Sequence, residues 1–216
     1  MKRPKHSPHG RLITLEGVEG VGKSTHLEFL GCYLRDRGVR VRVTREPGGT
    51  PAADEIRKLL LVNRTEHFQP MAELLLMFAA RVLHVENVIR PALTAGTWII
   101  CDRFTDASYA YQGGGRGIAA RHIESLERIA LQGLRPDLTI LLDAKIEVGM
   151  ARVKQRGMLD RFEQEKDEFF KRVRRVYLAR ARRDPRRIKV VNAGGSIADV
   201  QTQISALLNK RLTRWL

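Results

Sequence analysis

Leu12-Ile13-Thr14-Leu15 is a short apolar run that breaks at Gly17, and from Ser24 onward Leu27, Leu30 and Leu34 recur at helical spacing until Gly38. That order predicts a strand, a glycine loop and a helix. Val39, Val41 and Val43 alternate with Arg40, Arg42 and Thr44, the period of a second strand, which ends at Arg45-Glu46-Pro47-Gly48-Gly49. Thr50 before Pro51 supplies an N-cap and a first helical position for a helix through Ile56, Leu59 and Leu60. Pro70 opens the next helix, which carries Leu74, Leu75, Phe78, Val82 and Leu83 and runs toward Pro91, with Gly96 as its final stop. Thr97 to Cys101 and Leu138 to Leu142 are continuous apolar runs of strand length, the pattern of strands covered on both faces, and they end in Asp102 and Asp143. Between them lie a Gly-rich loop, Gly113 to Gly117, and a helix with Ile123, Leu126 and Ile129 closed by Gly133. After Asp143 come a helix to about Arg156, an arginine-rich break from Gly157 to Arg161, a helix to about Arg183, a strand at Ile188 to Val191 and a final helix. Strands alternating with helices predict an α/β domain with a parallel sheet, whose ligands sit at the carboxyl ends of the strands.

Composition narrows the class without choosing a function. A chain of 216 residues with 43% hydrophobic content suits one core and one domain. Its longest apolar run, Leu74 to Ala80, falls far short of the roughly 20 residues of a membrane span, and Met1 to Gly10 has no apolar signal-peptide core. A cytoplasmic protein without membrane contact is expected. Cys32 and Cys101 both fall in apolar segments and read as reduced core residues. The net charge of +15 suits a nucleic-acid binder and an enzyme of polyanionic nucleotides equally, so it decides nothing between them. The stretch 1–10 is basic, Pro-containing and aperiodic, an expected mobile arm in which His6 and His9 are not read as metal ligands.

Gly17-Val18-Glu19-Gly20-Val21-Gly22-Lys23-Ser24 changes the picture. It matches the phosphate-binding loop pattern in full, between a predicted strand and a predicted helix. In such a loop the glycines let backbone N–H groups surround a β-phosphate, Lys23 reaches the β- and γ-phosphates, and Ser24 ligates Mg²⁺. The helix N-terminus, continuing through Thr25, adds its partial positive charge. ATP is therefore the expected donor. The loop does not name the acceptor. A GTP-dependent switch is disfavoured, because no Asp-x-x-Gly is present and Asn209-Lys210-Arg211-Leu212 fails the Asn-Lys-x-Asp pattern at its last position.

Four further motifs, Thr44-Arg45-Glu46-Pro47-Gly48-Gly49-Thr50, Asp102-Arg103-Phe104, Ala110 to Gly117 (AYQGGGRG) and Asp160-Arg161-Phe162-Glu163, stand in the order and spacing of one family. With the loop, they make the chain resemble the bacterial thymidylate kinases over essentially its whole length after Gly10. The resemblance implies a P-loop NTPase three-layer fold with a five-stranded parallel sheet flanked by helices, one domain over 11–216 and a short helical lid at about 152–163. It also implies transfer of the ATP γ-phosphoryl group to dTMP with Mg²⁺, a homodimer, and no nucleic-acid partner.

Taken alone, Arg45 at a strand end suits a monophosphate or a surface turn, and the resemblance implies acceptor-phosphate binding there, beside Pro47. Arg103 is likewise implied to touch the acceptor phosphate near the transferring group. Asp102 either holds a magnesium-bound water or makes a salt bridge. Phe78 reads as core from the leucine stripe around it, whereas the resemblance places it stacked on thymine, with Arg81 at a base oxygen. Ser108, Tyr111 and Gln112 are implied to line base and sugar, with Tyr111 crowding a ribose 2′-hydroxyl, and Glu19 to meet the sugar 3′-hydroxyl. The loop contains no arginine, which resembles the branch of the family whose lid supplies the arginine for the transferring group; the resemblance implies that role for the lid, where Arg152, Arg156 and Arg161 are available and Arg156 is the first choice. Glu163 reaches the metal or the base side, or starts a helix.

Overall fold

The structure, a computed structural model, describes residues 9–63, 65, 68–154 and 160–215, with the backbone alone for Lys154. From the N-terminus the elements are β1 (Leu12–Glu16), α1 (Lys23–Arg35), β2 (Val41–Arg45), α2 (Pro51–Leu61) and α3 (Pro70–His84). A π-helical stretch, Val85–Ile89, joins α3 to α4 (Arg90–Thr94), and β3 (Trp98–Asp102) and α5 (Thr105–Ser108) follow. A second π-helical stretch, Tyr109–Gly115, leads to α6 (Ala120–Leu131) and β4 (Leu138–Asp143). The chain ends with α7 (Ile146–Lys154), α8 (Asp167–Arg183), β5 (Ile188–Asn192) and α9 (Ile197–Trp215).

All five strands are parallel, in the order β2-β3-β1-β4-β5. The predicted strands are thus present, and the three apolar runs are the three central ones. Leu12, Ile99 and Cys101 enter the core under α3 and α6, while Ile13, Leu15, Trp98 and Ile100 enter the core shared with α1, α8 and α9. That alternation is the strand period with both faces covered by helices. The outer strands β2 and β5 are only part-buried, which matches their mixed composition.

Thr50 caps α2 as expected, its Oγ1 accepting from Ala53 N at 3.2 Å with Pro51 in the first turn. Three expectations need correction. The helix from Pro70 does not run evenly to Pro91: Arg90 N donates to Val85 O, a five-residue spacing, in the π-stretch that precedes Pro91, which has no N–H to give. The segment read as a Gly-rich loop is partly π-helical. Its glycines are there for packing, since a Cβ at Gly115 would lie 2.3 Å from the Phe169 ring on α8. Cys101 is buried but Cys32 is exposed, because it sits on the outer side of α1 between the inward-facing Leu30 and Leu34.

Candidate active site

β1 delivers its last residue, Glu16, to the sheet's carboxyl end, and residues 17–22 turn from there into α1. Gly22 takes the N-cap position in the left-handed region at φ 87°, and no side chain caps the helix. The first-turn N–H groups are therefore left for a ligand, the arrangement that receives an anion. Val18 and Val21 are buried in the core, so their side chains anchor the loop and only their backbone can serve a nucleotide. Lys23 Nζ donates to Gly17 O at 3.2 Å and Val18 O at 2.9 Å and lies 3.6 Å from the Glu19 carboxylate. Burial, and then the Arg103 charge, lowers its pKa. Ser24 and Thr25 are exposed and face the cavity described below.

The loop is clasped from the other side by α7. A Cβ on Gly20 would lie 2.0 Å from Gly149 O, and one on Gly149 would lie 2.4 Å from Glu19 O, so two backbones meet where only glycine fits. Arg152, one turn along α7, donates to Gly20 O at 3.4 Å. Gly149 carries no motif signature, and only this contact exposes its role.

Arg103 is the hub of the phosphate end. Its backbone lies in the left-handed region at φ 66°, unusual for a residue with a Cβ. Its guanidinium donates to Gly17 O (2.9 Å), Glu19 Oε1 (2.6 Å) and Tyr177 Oη (3.2 Å) and stacks on the Tyr111 ring. Burial favours an uncharged Glu19, but the Arg103 and Lys23 charges and the Tyr111 hydroxyl outweigh it and hold the carboxyl at about 2. Glu19 is thus a fixed anion joined to Arg103, Lys23 and Tyr111. Beneath them Glu16 is fully buried, accepting from Phe104 N and Tyr177 Oη at 2.7 Å each. Burial, with the neighbouring Asp106 charge, pushes the Glu16 carboxyl up to about 8.

A cavity of about 660 Å³ opens over this end and extends past β2, α3 and the second π-stretch. Glu19, Lys23, Ser24, Asp102, Arg103 and Arg152 line it together with Pro47, Arg81, Ser108, Tyr111, Gln112 and Glu163. Asp102 Oδ1 is buried there without a hydrogen-bond partner among the described residues. Arg81, on α3, is 3% exposed and fixed on three sides: Nε to Glu46 Oε2 (2.6 Å), Nη1 to Ser108 Oγ (3.0 Å) and Nη2 to Phe104 O (3.2 Å). Behind it His84 completes the pairing of Glu46 at 3.1 Å.

Three sequence expectations are not met by placement. Phe78 does not reach the cavity; it packs with Leu74, Val85, Ile99 and Phe104 in the core, and Met77 lines the cavity instead. Met77 is four residues before Arg81 and so shares its face, whereas Phe78 continues the stripe that faces the sheet. Arg45 is 58% exposed, pairs with Asp54 at 3.3 Å and lies outside the cavity lining, because the alternation of the edge strand turns Glu46 inward and Arg45 outward. The cavity cation at this level is Arg57 of α2, which donates to Pro47 O at 2.9 Å. Burial and the nearby Arg45 and Arg103 charges lower its pKa. Arg161 does not line the cavity, donating instead to Leu60 O and pairing with Glu73 at 2.8 Å. Arg156, the first choice for the lid, lies outside the described residues. Glu163 lines the cavity, its Oε2 accepting from Asp160 N at 3.2 Å.

Residues 15–204 match the family model described as thymidylate kinase. The chain is 54% identical over 199 residues to the thymidylate kinase of Pseudomonas putida (strain GB-1), covering 92% of this chain and 95% of that protein. To the thymidylate kinase of Chromohalobacter salexigens it is 54% identical over 208 residues, covering 95% and 98% respectively. The crystal structure of thymidylate kinase from Ehrlichia chaffeensis superposes with a TM-score of 0.76 at 32% identity, over 94% of this chain and 99% of that one.

Proposed function

The chain belongs to the thymidylate kinase family and phosphorylates dTMP at the expense of ATP, and from that premise we propose how its residues divide the reaction. One observation carries the proposal: a single cavity is lined both by the phosphate loop and by the Arg81, Ser108 and Gln112 cluster, so donor and acceptor share one enclosed space. ATP lies on residues 17–25, its phosphates on the backbone N–H groups and Lys23, with Arg152 beside the loop. The acceptor phosphate lies between Arg57 and Arg103, with Arg45 adding charge from outside the wall. Glu19 receives the sugar 3′-hydroxyl and Tyr111 closes the space a 2′-hydroxyl would need, which favours a deoxyribonucleotide. The base lies against Met77, with Arg81 donating to a carbonyl and Gln112 at its edge.

The attacking phosphate oxygen is already anionic, so no general base is required, and catalysis is alignment plus charge stabilisation. The loop has no arginine, which assigns the cation for the transferring group to Arg103 and to the lid, Arg156 by sequence. The donor set fits Mg²⁺: the Ser24 hydroxyl stands at the start of α1, and the unpaired Asp102 Oδ1 suits a metal-bound water, with Glu163 nearby in the wall. When bound, the ion neutralises charge on the β- and γ-phosphate oxygens.

A homodimer is supported by the exposed apolar stripe Met71, Leu75 and Val82 on α3, and a cytoplasmic location by the substrates. Among the described residues no helix is long and apolar enough to cross a membrane. ADP release measured with dTMP, dUMP, dGMP, AMP and UMP tests the acceptor assignment. A clear preference for dTMP is expected, and equal rates across the panel overturn the proposed base and sugar contacts.

A further inference from the structure

Glu73 sits on α3 with 1% of its surface exposed, one helical turn before Met77, and does not line the cavity. Three donors converge on its carboxylate: Gln112 Nε2 at 2.9 Å, Arg161 Nη1 at 2.8 Å and Arg116 Nε at 3.3 Å. A carboxylate held between two guanidinium groups only accepts hydrogen bonds, so Gln112 must turn its NH₂ toward Glu73. The amide orientation follows from the partner's chemistry. The remaining polar atom, Gln112 Oε1, takes no hydrogen bond from the described residues, and Gln112 lines the cavity.

We propose that Glu73 is a positioning residue that fixes the edge of Gln112 offered to the acceptor base, an acceptor oxygen and not a donor nitrogen, and so sets the pocket for a pyrimidine bearing N3–H. This rests on the assignment of Gln112 to the base. Arg81 beside it has its own orientation locked by Glu46, Ser108 and Phe104 and offers only donors. The pocket then presents one donor and one acceptor, matched to the O4 and N3–H of thymine or uracil. Cytosine reverses both positions, with an acceptor at N3 and an amino group at C4. A flipped Gln112 amide would accommodate the N3 of cytosine, and the Glu73 carboxylate forbids that flip. Glu46 and Glu73 thus do parallel work, each aiming one base-reading side chain from behind the wall.

The test compares kcat and KM for dTMP and dCMP in the native enzyme, Glu73→Gln, Glu73→Asp and Gln112→Ala. Glu73→Gln can accept or donate and releases the amide, so the preference for dTMP over dCMP should narrow by at least about tenfold, mainly through KM for dTMP. Glu73→Asp keeps an acceptor-only partner and should retain most of the preference. A purely structural role would lower both substrates together and leave their ratio unchanged. If Glu73→Gln keeps the native ratio while Gln112→Ala abolishes it, the positioning role is wrong and the base contact stands. If Gln112→Ala also keeps the ratio, the base contact itself is wrong, and the inference falls with it. Should Glu73→Gln fail to fold, the ¹⁵N–¹H signals of the Gln112 amide in the native enzyme decide. One Nε2 proton protected from exchange before and after dTMP addition supports the role, and two freely exchanging protons overturn it.

Discussion

The phosphate end and the base end of the cavity are both backed by buried glutamates, but the two ends use them in opposite ways. Behind the base, Glu46 is paired with Arg81 and His84, and Glu73 with Arg116 and Arg161, so Glu46 aims Arg81 by direct ionic contact and Glu73 aims the neutral Gln112 amide by a hydrogen bond. Behind the phosphates, Glu16 accepts, among the described residues, from a backbone N–H and the Tyr177 hydroxyl, and burial pushes it up to about 8. The fixed anion at that end is Glu19, held at about 2 by the cations around it. The difference follows from the task. At the phosphate end one ionised carboxylate, Glu19, holds Arg103 and Lys23 in place, and an uncharged Glu16 beneath it adds no second anion to compete with the phosphates for those cations, whereas a neutral base needs donors and acceptors locked in orientation.

The largest expected effect breaks the phosphate end. Arg103→Ala removes the cation proposed to lie between donor and acceptor phosphates and leaves Glu19 without its closest partner, so turnover should fall about a thousandfold. A loss seen only in KM for dTMP would move Arg103 from the transferring group to simple binding.

A smaller effect sharpens the contrast between the glutamates. The folded-state pKa of Glu16 is raised from 4.5 to about 8, so the folded chain holds this proton more tightly than the unfolded one. The stability gained is full below about 4.5 and is lost as pH rises through about 8. Glu16→Gln keeps the uncharged form at every pH. Its stability relative to the native chain should therefore increase between those two pH values, by about 5 kcal/mol, read from denaturant titrations. A difference that does not change with pH would show that Glu16 stays ionised in the fold.

The two ends also differ in how far the sequence reveals them. Residues 17–24 are contiguous, so the motif alone specifies strand, loop and helix. The base end is assembled from α3, the β2–α2 connection and the second π-stretch, and depends on which of two adjacent residues faces inward. Met77 and Phe78, and the pair Arg45 and Arg57, are settled by burial across the fold and not by local pattern. The apolar stripe through Leu74 and Phe78 pointed to the core correctly, and family likeness pointed the other way. Glu73 had no signal at all, since an acidic residue in the first turn of a helix is ordinary. The three central strands were legible because continuous apolar runs have few other uses in a chain of this kind, and the edge strand β2 through its alternation of Val with polar residues. The π-stretches were not, because their distinguishing feature is hydrogen-bond spacing, to which composition is blind.

The central claim is that separate sets of side chains read phosphate and base within one cavity, and calorimetric titration of dTMP and of thymidine tests it most directly. Arg57→Ala should weaken dTMP about tenfold or more and leave thymidine within about twofold, while Gln112→Ala should weaken both by a similar factor. If Arg57→Ala weakens thymidine as much as dTMP, the phosphate and the base are not read separately, and the account is contradicted.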